Sequence, residues 1–328
     1  MSTRILLIGL GSIGKRHLKN LLHLNYENIS VVTTKQLNDE FNNCKRFQSL
    51  EDALQNNYDA AFICTPTSLH TQQLKILLEN NVPNIYVEKP VGHSLAHIYE
   101  IQQLINETKS NVLVGYDLHF HPCILKTKEL LAANAVGQIV SANAFVGQHL
   151  SQWRPYEDYR AGMSAKKETG GGVLLDLIHE FDYLLWLLGD AVSVAASINN
   201  TGALEIETEE YADVLIQFAN NISATVHLDY LQPILKRFCI FTGTKGTIEM
   251  NLAENLVCHT NETGAREIYE FKNEDRNHRF INIISSFLKN ENDARLTSFD
   301  DALKSLRIVA AAKQSAAEQK IIQLSSFN

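Results

Sequence analysis

Three groups of residues in this sequence could do chemistry. The first is Ile85-Tyr86-Val87-Glu88-Lys89-Pro90, where an apolar run passes directly into a carboxylate, an amine and a proline. At the carboxyl end of a buried strand such a pair points out of the sheet, into the crevice where open α/β folds hold their ligands. Lys89 there could stabilise a developing alkoxide, with Glu88 as its orienting partner. The second is Gly9-Leu10-Gly11-Ser12-Ile13-Gly14, between the apolar run 4–10 and a stretch, 15–22, with helical spacing of its apolar residues. Glycines permit a tight turn and let backbone amides approach a pyrophosphate at a helix N-terminus, so Gly9, Gly11, Ser12, Ile13 and Gly14 read as dinucleotide contacts. The third is Asp176, His179 and Tyr183 in the apolar run 173–189, which at i, i+3 and i+7 share one face of a helix. A buried acid and imidazole are costly unless paired or facing a polar cavity, and a histidine can exchange a proton near neutral pH. Each group also has a plainer reading: a solvated surface pair, a glycine turn in another α/β unit, and a satisfied core histidine.

The elements that must carry these residues alternate. The strand 29–35 ends about 20 residues past the third glycine, where an acid usually grips the adenosine ribose. Here stand Thr33, Thr34 and Lys35 instead, suited to a 2′-phosphate, which tilts the cofactor toward NADP and leaves NAD open. The strand 60–64 runs into Thr65-Pro66-Thr67-Ser68-Leu69-His70, so Thr65, Pro66 and His70 join Glu88 and Lys89 as candidate cofactor contacts. The strand 111–116 ends in Asp117-Leu118-His119-Phe120-His121-Pro122. Repeated strand-helix alternation predicts a doubly wound parallel sheet over residues 1–120. In residues 121–328 a helix at 126–135 and a strand at 138–146 precede the loop Trp153-Arg154-Pro155-Tyr156-Glu157-Asp158-Tyr159-Arg160, whose interleaved arginines and aromatics suit a sugar ring and an anion. A single helix over 173–189 follows. Strands at 211–219, 222–230, 237–241 and 247–252 and helices at 277–289 and 299–319 then predict an α+β domain on an open, mostly antiparallel sheet.

With 328 residues, 45% of them hydrophobic and 20% charged, the chain has the composition of a soluble protein of about two domains. A net charge of −8 argues against nucleic acid or an anionic membrane as partner. No apolar run reaches the ~20 residues of a membrane span, and the N-terminal run lacks the features of a signal peptide. Five scattered cysteines form neither a disulfide framework nor a zinc knuckle. A cytoplasmic protein is expected. His119, His121 and His149 lack the ligand spacing of a catalytic metal site, so no metal is expected.

With the glycine turn, the Thr-Pro strand end and Glu88-Lys89-Pro90 together, the chain resembles the glucose-fructose oxidoreductase, inositol dehydrogenase and rhizopine-catabolism (Gfo/Idh/MocA) family over nearly its whole length. The resemblance implies hydride transfer between NAD(P) and a hydroxyl-bearing carbon of a sugar or sugar derivative, with Lys89 catalytic and its bond to Pro90 often cis. It also implies an acid and a histidine on the helix carrying Asp176 and His179, and a C-terminal sheet that forms homodimers or homotetramers. Tyr116, His119, Trp153, Arg154, Tyr159, Arg160 and Tyr183 are the substrate contacts expected on this reading. Two other activities occur on such chains, a cofactor-assisted glycosidase and a non-catalytic cofactor-binding regulator. The sequence departs from the family at Asp117 and His119, where Asn and Arg are common. It departs again in the spacing of Asp176 from His179, three where four is usual; alignment on His179-x-x-Asp182 keeps the histidine in place. Association would follow if the exposed sheet face were apolar along Val214, Ile216, Phe218 and Val226.

Overall fold

The computed structural model describes residues 3–272, 274–289 and 291–327. The chain packs as two compact units, Met1–Asp117 with Arg276–Ala302, and Leu118–Asp275 with Leu303–Asn328. The segment 276–302, placed by the sequence reading in the second domain, thus packs with the first.

The first unit holds β1 (Ile5–Ile8), α1 (Ser12–His23), β2 (Ile29–Val32), β3 (Lys45–Phe47), α2 (Leu50–Ala53), β4 (Ala60–Ile63), α3 (His70–Glu79), β5 (Asn84–Val87), α4 (Ile98–Thr108) and β6 (Asn111–Val114). The six strands are parallel, in the order β6-β5-β4-β1-β2-β3, and a short strand at Thr297–Ser298 adds antiparallel to β6. Strands β1, β2 and β4 are buried along their whole length, as expected when helices cover both faces of a parallel sheet. The strand order reverses between β1 and β4, and the ends of these two strands carry the glycine turn and Thr65-Pro66.

The second unit holds α5 (Pro122–Ala132), β7 (Ile139–Gly147), α6 (Val173–Asp176), α7 (His179–Leu188), β8 (Ala191–Asn199), β9 (Tyr211–Phe218), β10 (Ser223–Asp229), β11 (Lys236–Gly243), β12 (Gly246–Asn251), β13 (Leu256–Asn261) and β14 (Arg266–Glu270). Its sheet has the order β14-β13-β12-β11-β7-β10-β9-β8 with a further short strand, Ile322–Gln323, beside β8. Among the described residues only the β7–β10 pair of this sheet is parallel. Strand β9 alternates strictly, with Ala212, Val214, Ile216 and Phe218 buried.

That alternation corrects the expected association surface. Val214, Ile216, Phe218 and Val226 lie on the buried face, each at most 2% exposed, because the apolar set of a half-buried strand turns to the core. The face open to solvent presents residues between them: Leu215, 47% exposed, together with Phe145, Phe238, Asp213, Thr225 and His227, which line a shallow concavity of about 600 Å³. The helix expected over 173–189 is also interrupted. Helix α6 ends at Asp176 and α7 begins at His179, so a face-sharing argument for Asp176 and His179 that assumes one continuous helix does not hold. Among the described residues no helix is long and apolar enough to cross a membrane.

Candidate functional site

The glycine turn of the first unit is shaped for close approach. Gly9 has φ +94, and a Cβ there would lie 2.8 Å from the Cys64 carbonyl oxygen; one on Gly14 would lie 2.0 Å from the Gly9 oxygen. Gly11, by contrast, faces open space and caps α1 without a side-chain hydrogen bond. The first amides of a twelve-residue helix are therefore presented at a bare glycine turn, with Ser12 exposed and Ile13 half-buried beside it. This is the donor set and positive dipole end that a pyrophosphate requires, and the residues fit a dinucleotide.

At the end of β2, Thr33 is buried and its hydroxyl accepts from the Lys35 amide at 3.1 Å, while Thr34 and Lys35 are exposed. Arg46 of β3 reaches across this end. Its guanidinium donates to the Thr33 carbonyl at 3.3 Å, the Thr34 carbonyl at 3.4 Å and Gln36 Oε1 at 3.1 Å. Sequence reasoning missed Arg46, because only strand pairing between β2 and β3 brings it here.

The ends of β4 and β5 carry the remaining residues of this unit. Thr65 donates its hydroxyl to Gln73 at 2.6 Å, and Pro66 follows half-buried. His70 is buried, and its two ring nitrogens face the backbone carbonyls of Pro90 and Thr65 at 2.8 and 2.9 Å. Lys89 is half-buried, and the Lys89-Pro90 bond is cis. Glu88 turns inward: its Oε1 lies 2.5 Å from Nε2 of the fully buried His17 on α1. The carboxylate expected to orient Lys89 is thus held by the helix behind the glycine turn. Phe62, Tyr86 and Phe280 surround His17 at ring distances of 5.4 to 6.1 Å. Tyr116 is fully buried, and Asp117 pairs with Arg279 at 3.4 Å.

In the second unit Asp176, at the end of α6, accepts from the Tyr230 hydroxyl at 2.6 Å. Burial first and the Asp176 carboxylate second hold the Tyr230 phenol well above its ordinary pKa. Tyr230 also meets Trp153 edge to face at 5.4 Å, and the Trp153 indole donates to the Gln148 carbonyl at 3.3 Å. His179 opens α7 and is 8% exposed. One turn along, Asp182 pairs with His119 Nε2 at 2.9 Å, and that imidazole stacks on Trp186 at 4.0 Å, with Lys128 over the same indole. His119 is therefore embedded in a buried acid-imidazole-indole stack. Tyr183 is 1% exposed, and burial raises its pKa well above the ordinary value, with Cys239 and Glu180 adding to the shift; it lies in the packing of helix on sheet. Glu180, fully buried, takes a bidentate contact from Arg237 at 2.8 and 3.0 Å. In the aromatic loop Arg154 lies 4.0 Å from Glu157, and Tyr159 meets His149 edge to face at 6.3 Å. Arg160 pairs with Glu205 at 3.0 Å and Asp158 at 3.5 Å. Tyr230 and Arg237 were not singled out from sequence; both sit in apolar strand patterns that carry no signal of a polar partner.

A doubly wound sheet whose reversal point presents an open glycine turn defines a dinucleotide-binding fold. Residues 3–116 match the family described as "Oxidoreductase family, NAD-binding Rossmann fold", and residues 124–249 match the "GFO/IDH/MocA C-terminal domain". The chain is 26% identical to the uncharacterized oxidoreductase YrbE of Bacillus subtilis, over 95% of this chain and 93% of that protein. It is 23% identical to the myo-inositol 2-dehydrogenase of Thermotoga maritima, over 98% of both. The WlbA dehydrogenase of Bordetella pertussis, solved with NADH and UDP-GlcNAcA, superposes with a TM-score of 0.83 at 22% identity, over 98% of this chain and 97% of that one. The chain belongs to the Gfo/Idh/MocA family of oxidoreductases.

Proposed function

We propose that this protein is an NAD(P)-dependent dehydrogenase or reductase that moves a hydride to or from a hydroxyl-bearing carbon of a sugar or sugar derivative. The observation that carries the reading is Lys89 at the carboxyl end of β5, in the same unit as a glycine turn built for a pyrophosphate. The nicotinamide supplies the hydride acceptor or donor when bound. Lys89, kept charged, stabilises the alkoxide that forms as the hydroxyl loses its proton, and His179 takes or returns that proton. Asp176, which also accepts a hydrogen bond from Tyr230, would hold or tune the histidine.

Residues 1–120, with the segment 276–302 that packs in the same unit, form the cofactor domain on this reading, and the rest of the chain the substrate and association domain. NADP is favoured over NAD by the absence of an acid after β2 and by Lys35 and Arg46 at that strand end. An anionic or nucleotide-linked sugar is the proposed substrate class, supported by the arginines of the aromatic loop and by the UDP-GlcNAcA in the WlbA complex. Arg154 and Arg160, which pair with Glu157 and with Asp158 and Glu205, are the proposed anion contacts, with Trp153 and Tyr159 against the ring. A homodimer or homotetramer would form through the open sheet face around Leu215, Phe145 and Phe238. The protein would act in the cytoplasm.

The test is Lys89→Met, assayed on sugars, sugar acids and nucleotide sugars by NAD(P)H absorbance. Turnover should fall about 100- to 10,000-fold while cofactor affinity stays within a few-fold. Turnover near wild type would refute the assignment, and product without net change in NAD(P)H would point to the glycosidase.

A further inference from the structure

His70 is the first residue of α3 and is 1% exposed. Its Nδ1 lies 2.8 Å from the Pro90 carbonyl oxygen and its Nε2 2.9 Å from that of Thr65. Carbonyl oxygens only accept, and a neutral imidazole carries one N–H. In a neutral ring one of these two contacts would set a nitrogen lone pair against an oxygen lone pair. Both are hydrogen bonds only in the imidazolium.

We propose that His70 becomes a doubly donating imidazolium on the acid side of its titration, a positioning residue that in that state pins the turn carrying Lys89 to the Thr65-Pro66 turn. The two turns end the neighbouring strands β5 and β4, so one ring fixes the spacing between them. Its part in catalysis rests on the role proposed for Lys89; its protonation state does not.

The groups acting on the ring are few. Glu88 favours the charge and is itself held by His17, whereas Lys89 opposes it. The Cys64 thiol, at the end of β4, is kept protonated by burial and adds no charge. The amino end of α3 also disfavours a cation. Burial is the largest influence and draws His70 below the ordinary histidine range, while the Pro90 and Thr65 carbonyls draw it back. The doubly donating state is therefore complete on the acid side and is lost as the pH rises through a midpoint below that of an exposed histidine. Deprotonation releases one of the two turns.

The test uses the full chain labelled with nitrogen-15 at histidine, with His70 assigned by comparison with His70→Gln. Long-range proton-nitrogen spectra are recorded from about pH 5 to 8, and NADH and NADPH affinities are measured by nicotinamide fluorescence across the same range. On the acid side both His70 nitrogens should carry protons. As one loses its proton, cofactor affinity should weaken several-fold with the same midpoint, a limb that His70→Gln, with its non-titrating amide donor, should lack. One unprotonated ring nitrogen at every pH where the protein is folded would overturn the imidazolium. Two protonated nitrogens without a matching limb in affinity would overturn the positioning role. Failure of both cofactors to bind at any pH would instead refute the functional reading, and the nitrogen signals of wild type would still decide the charge on His70.

Discussion

Replacing Arg237 by Met removes one half of a carboxylate-guanidinium pair in the second unit whose carboxylate is fully buried. Glu180 has no exposed surface, and Arg237 Nε and Nη2 meet its two oxygens at 2.8 and 3.0 Å. Loss of one partner from such a pair costs about 3–5 kcal/mol, because the remaining charge is left in a medium that cannot solvate it. The Arg237 side chain is 20% exposed, so water can reach the vacated end, and the lower figure, about 3 kcal/mol, is expected. For a unit of this size each kcal/mol shifts the melting temperature by about 2–4 °C, giving a fall of roughly 6–12 °C. Calorimetry on wild type, Arg237→Met and the double variant Glu180→Leu/Arg237→Met measures it. The double variant should recover most of the loss, since two apolar groups of similar volume need no partner. A fall in Arg237→Met of less than about 2 °C, or a double variant as unstable as the single one, would refute the argument. Because Glu180 is adjacent to His179, Arg237→Met should also lower turnover at temperatures well below its melting point.

Gly14→Ala should abolish cofactor binding and cost about 1–3 kcal/mol, since the added Cβ would sit 2.0 Å from the Gly9 carbonyl oxygen; wild-type affinity measured by fluorescence titration would contradict this. Arg46→Ala and Lys35→Ala should each weaken NADP more than NAD, and equal losses, or a native preference for NAD, would sink the 2′-phosphate reading. Asp293 has its pKa lowered to about 2, mainly by its hydrogen bonds with Arg295, from an ordinary 3.8. Its contribution to stability is therefore present above about pH 4 and is lost as the pH falls through about 2. With Arg295 38% exposed and the pair screened, Asp293→Asn should cost about 1 kcal/mol at neutral pH and only a small part of that near pH 2, as read from urea unfolding at both.

The local chemistry of the first unit was legible in the sequence. Gly9, Gly11 and Gly14 sit between a strand and a helix, and Glu88-Lys89-Pro90 ends an apolar strand. A turn and a strand end are set by neighbours in the chain, so their place at the carboxyl ends of the strands follows from local pattern. Strand alternation likewise foretold the second sheet, because a period of two needs no partner to be seen. Which face of that sheet is buried was not visible: Val214 and Leu215 are both apolar, and only the helices packed on one side make the first core and leave the second in solvent. The break at Leu177-Ile178 was hidden for a similar reason. The run 173–189 is apolar nearly all round, so it carries no phase by which an interruption could show. Polar partnership was decided by the tertiary structure throughout. Glu88 meets His17, 71 residues away, and Asp176 meets Tyr230, 54 residues away, contacts that no local pattern foretells. Sequence specifies which groups need a partner once buried, since the cost of desolvation belongs to the residue type. Which partner meets that cost depends on what the fold brings within hydrogen-bonding distance, and for these carboxylates that came from distant parts of the chain.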